Sequence, residues 1–146
     1  MITYEKLLEK FKDLLKSNTL KFTKQRELIL KFLYENSDHY TPEDIYMLLK
    51  KEYPNINIGI ATVYRTLALL EESGIASSIS FGAQGKKYEL GLKKHHDHLI
   101  CTACGEIIEF FDETIEAQQE KIAEKFNFQM LDHTMKIVGL CENCQA

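Results

Sequence analysis

A stretch of ten residues, His95–Cys104, contains three of the five histidines of this chain, two of its four cysteines and Asp97. The other two cysteines, Cys141 and Cys144, repeat the Cys-x-x-Cys spacing after 36 intervening residues. Nitrogen and sulfur donors at this density are typical of metal sites. The sequence therefore predicts a protein that binds metal ions.

The two Cys-x-x-Cys pairs predict a structural zinc site, with disulfides or a redox pair as the alternatives. Four thiolates around zinc form a closed tetrahedral site that would use every cysteine of the chain. The first residues are charged and helix-patterned, unlike a signal peptide, and no apolar run approaches the ~20 residues that span a membrane. We therefore expect a cytoplasmic protein without membrane contact, where paired cysteines bind metal more often than they form disulfides. The predicted zinc ligands are Cys101, Cys104, Cys141 and Cys144.

Any further metal site must use nitrogen and oxygen donors, because the thiolates are committed. In a strand, side chains alternate between faces, so His96 and His98 point one way while His95 and Asp97 point the other. The strand could therefore serve two more sites, one on each side. Histidine and carboxylate ligands suit Fe²⁺, Mn²⁺ or Zn²⁺. Neighbouring acids available to such a site are Glu89 and Glu109.

The elements before this strand have the order helix, helix, helix, hairpin, which is typical of a winged helix-turn-helix. Apolar spacing predicts an additional first helix over residues 3–16. The others are a helix from Thr23, a helix from Thr41 and a helix over 59–73, followed by strands at Ser77–Phe81 and Lys86–Leu90.

The helix over 59–73 has the pattern of a DNA-recognition helix. Its apolar stripe is predicted to be Ile60, Val63, Leu67 and Leu70. Arg65 falls opposite that stripe, Tyr64 lies at its edge, and Thr62 is one of the short side chains beside it. Such a face suits the major groove. An ordinary exposed polar face is the alternative.

The charge distribution places any DNA contact in the first part of the chain. The formal charge is −4 overall. Residues 1–90 carry 13 basic and 12 acidic side chains, whereas residues 91–146 carry 5 and 10. Such an asymmetry suggests two functional regions. Lys86 and Lys87 on the hairpin would reach phosphates, which orient a protein on DNA without reading its sequence.

Residues after Gly91 are predicted to form a strand–strand–helix–strand unit. The metal strand is followed by a strand over 106–111, a helix over 112–126 and a strand over 129–140. The helix is expected to turn Ile115, Ile122, Ala123 and Phe126 inward. A unit of this size has too little core to be stable by itself.

These motifs together resemble those of the ferric uptake regulator family. The matching runs are Gly59-Ile-Ala-Thr-Val-Tyr-Arg-Thr-Leu67, Lys87-Tyr-Glu-Leu90, His95-His-Asp-His98, Cys101-x-x-Cys-Gly105 and Ile107-Ile-Glu-Phe110. The resemblance implies an α+β homodimer, in which a winged helix-turn-helix is followed by a small α/β dimerisation domain with structural zinc. On this basis we assign residues 1–91 to the DNA-binding domain and 92–146 to the metal-binding dimerisation domain.

The resemblance also implies a ligand set for each metal site and a set of DNA contacts. The regulatory site would comprise His39, Glu89, His96, His98 and Glu109. A third site would comprise His95, Asp97, Glu116 and His133. DNA contacts would be Lys21 in the minor groove and Tyr64 and Arg65 in the major groove.

By resemblance, the function is repression of iron-uptake and homeostasis genes by the Fe²⁺-loaded dimer bound to operator DNA. Peroxide-sensing members typically have aspartates at Glu89 and Glu109, and zinc-sensing members bring a cysteine into the regulatory site. The iron-responsive branch therefore fits best, with a Zn²⁺, Mn²⁺ or peroxide sensor as the alternative.

Two kinds of enzyme are rival interpretations. A metal-dependent hydrolase would need an open coordination position, but no further nucleophile or acid–base pair stands out. A Cys-x-x-Cys oxidoreductase would need a thioredoxin-like setting, which is not recognisable. We therefore predict no enzymatic activity.

Overall fold

The structure is a computed structural model that describes residues 2–80, 85–91 and 95–145. It has two compact units, Met1–Lys93 and Lys94–Ala146. Three sequence predictions involve residues outside the described ones: the domain boundary between 91 and 92, the hairpin turn at 82–84, and Phe81 as the end of a strand. Among the described residues, no helix has the length and apolar character needed to cross a bilayer.

The described residues of the first unit form four helices followed by a two-stranded antiparallel sheet, which confirms the predicted winged helix-turn-helix. Its elements are α1 (Tyr4–Ser17), α2 (Lys24–Glu35), α3 (Pro42–Glu52), α4 (Ile60–Glu72), β1 (Ala76–Ser80) and β2 (Lys86–Leu90).

Threonines cap the first three helices. Thr3, Thr23 and Thr41 each accept a hydrogen bond from the backbone N–H three residues later. This satisfies a donor that has no partner within the helix. At α3 the Asp44 side chain also accepts from the Thr41 N–H, which completes a capping box, and Pro42 occupies the first helical position. These contacts fix where α3 begins.

The core of the first unit is formed by the apolar stripes of all four helices with contributions from the sheet. Most of the predicted core is confirmed, including Val63, Leu67 and Leu70 of α4. The prediction for Ile60 is wrong, since this residue of α4 is exposed. Thr66 is buried in α4 instead, because the buried face of the helix is rotated slightly about the helix axis from the predicted face.

The second unit has the predicted strand–strand–helix–strand order. Its elements are β3 (Asp97–Cys101), β4 (Ile107–Phe110), α5 (Glu113–Lys125) and β5 (Lys136–Gly139), with a 3-10 turn at Glu142–Cys144. β3 is the central strand, antiparallel to β4 and parallel to β5. The last strand is shorter than the predicted 129–140, because regular pairing begins only at Lys136.

Helix α5 buries none of its residues within this chain. Ile122 and the helix-capping Phe126, both predicted to face inward, are exposed. The pattern correctly identified an apolar side of the helix, but the described residues of the second unit leave this side uncovered.

Candidate metal centres and nucleic-acid interface

The four cysteines converge at one end of the second unit. Cys101 ends β3 and Cys104 follows in the adjoining turn, whereas Cys141 precedes the 3-10 turn after β5 and Cys144 is its last residue. Parallel pairing of β3 with β5, with Cys101 opposite Gly139, brings the two pairs together. The four sulfur atoms all lie within 4.8 Å of one another, and none is in a disulfide. This arrangement fits the tetrahedral thiolate site expected for structural zinc.

The environment of the thiols favours a bound cation. Backbone N–H groups of Cys104 and Cys141 lower the pKa of the Cys101 thiol to about 6. By contrast, hydrogen bonding with Cys141 and the other neighbouring sulfurs raises the pKa of Cys144 to about 12. Four adjacent thiolates repel one another, so their full ionisation needs a positive ion between them.

A second cluster forms between the strand, α5 and the segment before β5. The Glu116 carboxylate lies between two imidazoles, 3.3 Å from His95 Nε2 and 3.2 Å from His133 Nε2. His95 Nε2 is also 3.5 Å from Asp97 Oδ1. One donor atom from each of these four side chains lies within 4.8 Å of the others. The structure thus brings together every residue predicted for the third site.

Asp97 strengthens the case that this cluster suits a cation. Its side chain is fully buried, and among the described residues neither carboxylate oxygen has a hydrogen-bond partner. A buried carboxylate without such partners is costly unless a positive charge compensates for it. Two imidazoles and two carboxylates are hard and borderline ligands that accommodate Fe²⁺, Mn²⁺ or Zn²⁺.

Two of the predicted regulatory residues pair inside the first unit. Tyr40, in the loop before α3, forms a bridge with Tyr88 of β2 through two backbone hydrogen bonds of 3.0 and 2.6 Å. This bridge places the neighbouring His39 and Glu89 side by side, with Nε2 and Oε2 3.1 Å apart. Both side chains are buried.

The other three predicted regulatory residues lie together in the second unit. His98 of β3 is directly opposite Glu109 of β4. His96 Nε2 is 3.4 Å from Glu109 Oε1, and the His96 and His98 rings are 4.6 Å apart. The alternation predicted for the strand therefore holds, with His96 and His98 in one cluster and His95 and Asp97 in the other.

Comparison with known proteins identifies the kind of protein to which this chain is related. The model of the ferric uptake regulator family matches residues 17–138. The chain is 54% identical over 143 residues to the ferric uptake regulation protein of Campylobacter jejuni, covering 98% of this chain and 91% of that protein. The chain belongs to the ferric uptake regulator family. It is therefore a metal-dependent transcriptional regulator.

Solved structures of family members agree with the fold. The Helicobacter pylori ferric uptake regulator, reported with three functional metal-binding sites, superimposes with a TM-score of 0.90 at 37% identity, covering 99% of this chain and 95% of that one. The Francisella tularensis regulator, solved with iron, gives a TM-score of 0.77 at 38% identity, covering 86% and 94%. The α+β fold expected from the sequence is thereby confirmed.

The residues predicted to contact DNA are on the surface of the first unit. Tyr64 and Arg65 are exposed on α4, and Thr62 is half-buried beside them. Lys21 is exposed in the loop before α2, where the Arg26 guanidinium donates a hydrogen bond to its carbonyl oxygen. The family assignment gives this surface a function, but which of these residues contact DNA stays a prediction.

Lys86 in the β1–β2 sheet (the wing) and Tyr64 in α4 (the recognition helix) have partners that the sequence does not predict. Lys86 is exposed and its Nζ lies 3.3 Å from Oε1 of Glu71, near the end of α4. The Ser78 hydroxyl of β1 donates to the other oxygen of the same carboxylate. Tyr64 donates to Glu43 of α3. Such contacts between distant residues leave no local signal in the sequence.

Proposed function

We propose that this protein binds operator DNA as a homodimer when loaded with Fe²⁺ and thereby represses iron-uptake and homeostasis genes. The observation that carries the proposal is the buried His39–Glu89 pair on the DNA-binding unit. Its imidazole and carboxylate are the donor types of a ferrous site. The complementary donors are in the other unit, where His98 is in β3, His96 just precedes it and Glu109 is in β4.

We propose that these five residues hold one regulatory ion. A bound Fe²⁺ would supply the positive charge that joins donors from both units. His39 and Glu89 would then be fixed through the Tyr40–Tyr88 bridge to the start of α3 and to the wing. The bridge joins the start of α3 to β2, and α4 lies between these two elements in the sequence. Binding of the metal ion would therefore orient the entire DNA-binding unit.

Homodimer formation is supported by the exposed apolar side chains of the second unit. Large apolar residues in and after α5 are 57–90% exposed: Ile122, Phe126, Phe128 and Leu131. Large apolar side chains exposed close together in the sequence suggest an interaction site. A second copy of the chain would cover it and set two copies of α4 at the spacing of successive major grooves, ~34 Å. A higher oligomer remains the alternative to a dimer.

The DNA surface would combine major-groove reading with phosphate contacts. Arg65 is exposed, and arginine binds guanine edges with two hydrogen bonds. Tyr64 lies beside it on the same helix. Lys86 and Lys87 of the wing would contact phosphates, and Lys21 would enter the minor groove. We also propose that the protein is cytoplasmic and acts on double-stranded DNA there.

The remaining two clusters would each hold a further metal ion. The cysteine cluster would hold structural Zn²⁺, and the cluster of His95, Asp97, Glu116 and His133 would hold a third ion. Mn²⁺ or Zn²⁺ could replace Fe²⁺ at the nitrogen and oxygen sites, because their ligand preferences overlap. No enzymatic step is assigned to any of these centres.

The decisive experiment is a titration of an A·T-rich inverted-repeat duplex at a fixed, stated salt concentration. Wild-type protein is expected to bind tightly with Fe²⁺ under anaerobic conditions and weakly after chelation. His39→Ala and His96→Ala should keep their helix content and dimer mass but lose the metal dependence. Arg65→Ala should lose DNA binding while it still binds metal, which separates the two functions.

Two outcomes would contradict the proposal. Equal DNA affinity of wild type and His96→Ala at saturating Fe²⁺ would show that the regulatory ligands do not control DNA binding. A response to Zn²⁺ or peroxide but not to Fe²⁺ would instead favour a sibling sensor of the same family.

A further inference from the structure

Tyr64 is exposed on α4, yet its hydroxyl group is held by a different helix. The side chain is 47% exposed, and the phenol O–H donates a hydrogen bond to the Glu43 carboxylate. Glu43 is in the first turn of α3, 21 residues earlier in the chain. The contact therefore joins the two helices of the helix-turn-helix on the surface proposed to face DNA.

Glu43 is well placed to act as a fixed anchor. It follows Pro42, whose ring limits the backbone, and lies inside the capping box formed by Thr41 and Asp44. A carboxylate in the first turn of a helix is also stabilised by the helix dipole. The backbone that carries the Glu43 carboxylate is thus held in place by Pro42 and by the capping box. A surface glutamate without such contacts would be free to move.

The hydrogen bond changes what Tyr64 can recognise. A phenol has one donor, and here Glu43 takes it. A tyrosine phenol is protonated at neutral pH in any case, and this contact raises its pKa further. What remains for DNA is the apolar ring, which suits a thymine methyl, and an oxygen lone pair, which suits the amino group of adenine or cytosine. Base acceptors such as guanine O6 therefore cannot receive a hydrogen bond from the Tyr64 hydroxyl.

The charge of Glu43 does not by itself discriminate between sequences. A carboxylate beside the DNA surface repels phosphates at every sequence, so it lowers operator and non-operator affinity alike. The fixed orientation of Tyr64, by contrast, favours only the correct bases. The orientation of Tyr64, and not the charge of Glu43, therefore raises the ratio between operator and non-operator affinity.

We propose that Glu43 is a positioning and specificity-determining residue, which orients Tyr64 and occupies its only donor so that α4 reads thymine methyl and amino groups. This inference rests on the proposed function, since it requires that α4 binds operator DNA.

The test is a double-mutant cycle on specificity. Dissociation constants are measured at saturating Mn²⁺ for the operator duplex and for a scrambled duplex of equal length and composition. The proteins are wild type, Glu43→Ala, Tyr64→Phe and the double variant. Glu43→Gln retains an amide oxygen that can accept the same hydrogen bond. Glu52→Ala is the matched control, because it removes an exposed acid from the far end of the same helix.

Glu43→Ala should lower the specificity ratio about fivefold, the size of one hydrogen bond at a partly exposed site. Glu43→Gln should recover most of that loss. In the Tyr64→Phe background, Glu43→Ala should change the ratio by less than about twofold, and Glu52→Ala should have as little effect. A titration of the Tyr64 ring by NMR should show a lower pKa in Glu43→Ala than in wild type.

Equal changes in operator and scrambled affinity for Glu43→Ala would overturn the inference and make Glu43 a simple surface charge. So would a loss of specificity that persists unchanged in the Tyr64→Phe background. If the wild type itself fails to distinguish the two duplexes, the proposed function fails and this inference fails with it. Normal wild-type discrimination with no coupling overturns the inference alone.

Discussion

Asp97 has a carboxylate that is costly to bury without a compensating positive charge. Its carboxylate is fully buried and lacks a hydrogen-bond partner among the residues described. His95 Nε2, at 3.5 Å, offers a distant ion pair to one oxygen. An ionised carboxylate in this setting costs several kcal/mol of stability that an ion ligated by it would return.

Replacement of Asp97 by asparagine should therefore separate the destabilisation caused by the buried charge from the contribution of that charge to metal binding. Without metal, Asp97→Asn is expected to be as stable as wild type or more stable by about 1 kcal/mol, because the buried charge is gone. With Mn²⁺ or Zn²⁺, wild type should gain more stability than the variant, since loss of a ligand weakens binding about tenfold or more.

Thermal unfolding with and without metal measures both effects. Asp13→Asn, which neutralises an exposed acid of α1, is the matched control and should follow wild type in both conditions. An Asp97→Asn protein that is destabilised by more than about 2 kcal/mol without metal would contradict this account of the site.

At the scale of elements, what could be predicted depended on whether the cause is local. Helix starts were predictable because Thr41, Pro42 and Asp44 act on their own backbone. The two-sided strand was predictable because side-chain alternation alone separates His96 from His95. Both features are present in the structure.

Features that depend on distant partners were not predictable from one sequence. Ile122 and Phe126 were expected to be buried, yet the helical spacing cannot tell whether the covering surface belongs to the same chain. The Tyr64–Glu43 hydrogen bond joins residues 21 positions apart, and only the packing of α3 against α4 creates it. Recognition of the family supplied His39 and His133 as candidate ligands, which as isolated histidines had no local signal.

The cysteine cluster is the feature on which the second unit depends for stability. Its strands are short, and α5 contributes no buried residue. A core of this size supplies at most ~3–5 kcal/mol, whereas structural zinc contributes ~10–16 kcal/mol in small domains. Zinc bound by these thiolates would therefore provide most of the folding free energy of the unit.

Cys101→Ser is accordingly expected to unfold the second unit and abolish the dimer. Circular dichroism should show loss of strand and helix signal, and the molecular mass should fall to that of a monomer with no zinc retained. Ala103→Ser, in the exposed turn between two of the ligands, is the control and should behave as wild type. A zinc-free Cys101→Ser protein with native secondary structure and dimer mass would refute the idea.

At the scale of the whole molecule, metal and DNA binding must be thermodynamically linked if the regulatory ion selects the DNA-binding conformation. Allosteric coupling typically amounts to ~1–3 kcal/mol, or about 5- to 150-fold in affinity. The coupling is reciprocal, so a metal that tightens operator binding must itself be bound more tightly by the complex with operator. The two measurements are independent and must agree.

The reciprocal experiment measures Mn²⁺ affinity with and without saturating operator duplex in protein that already contains structural zinc. Wild type should bind Mn²⁺ more tightly on DNA by the same factor by which Mn²⁺ tightens DNA binding. His39→Ala, which removes a ligand carried by the DNA-binding unit, should show a factor near one in both directions. A scrambled duplex should give a smaller factor than the operator, because non-specific phosphate contacts depend less on the relative orientation of the two units.

Unequal factors for metal and DNA in wild type would mean that a second equilibrium, such as dimer dissociation, contributes. Repeating both titrations at protein concentrations above the dimer dissociation constant would identify it. Equal Mn²⁺ affinity with and without operator, at concentrations where the dimer is intact, would rule out control of DNA binding by this site.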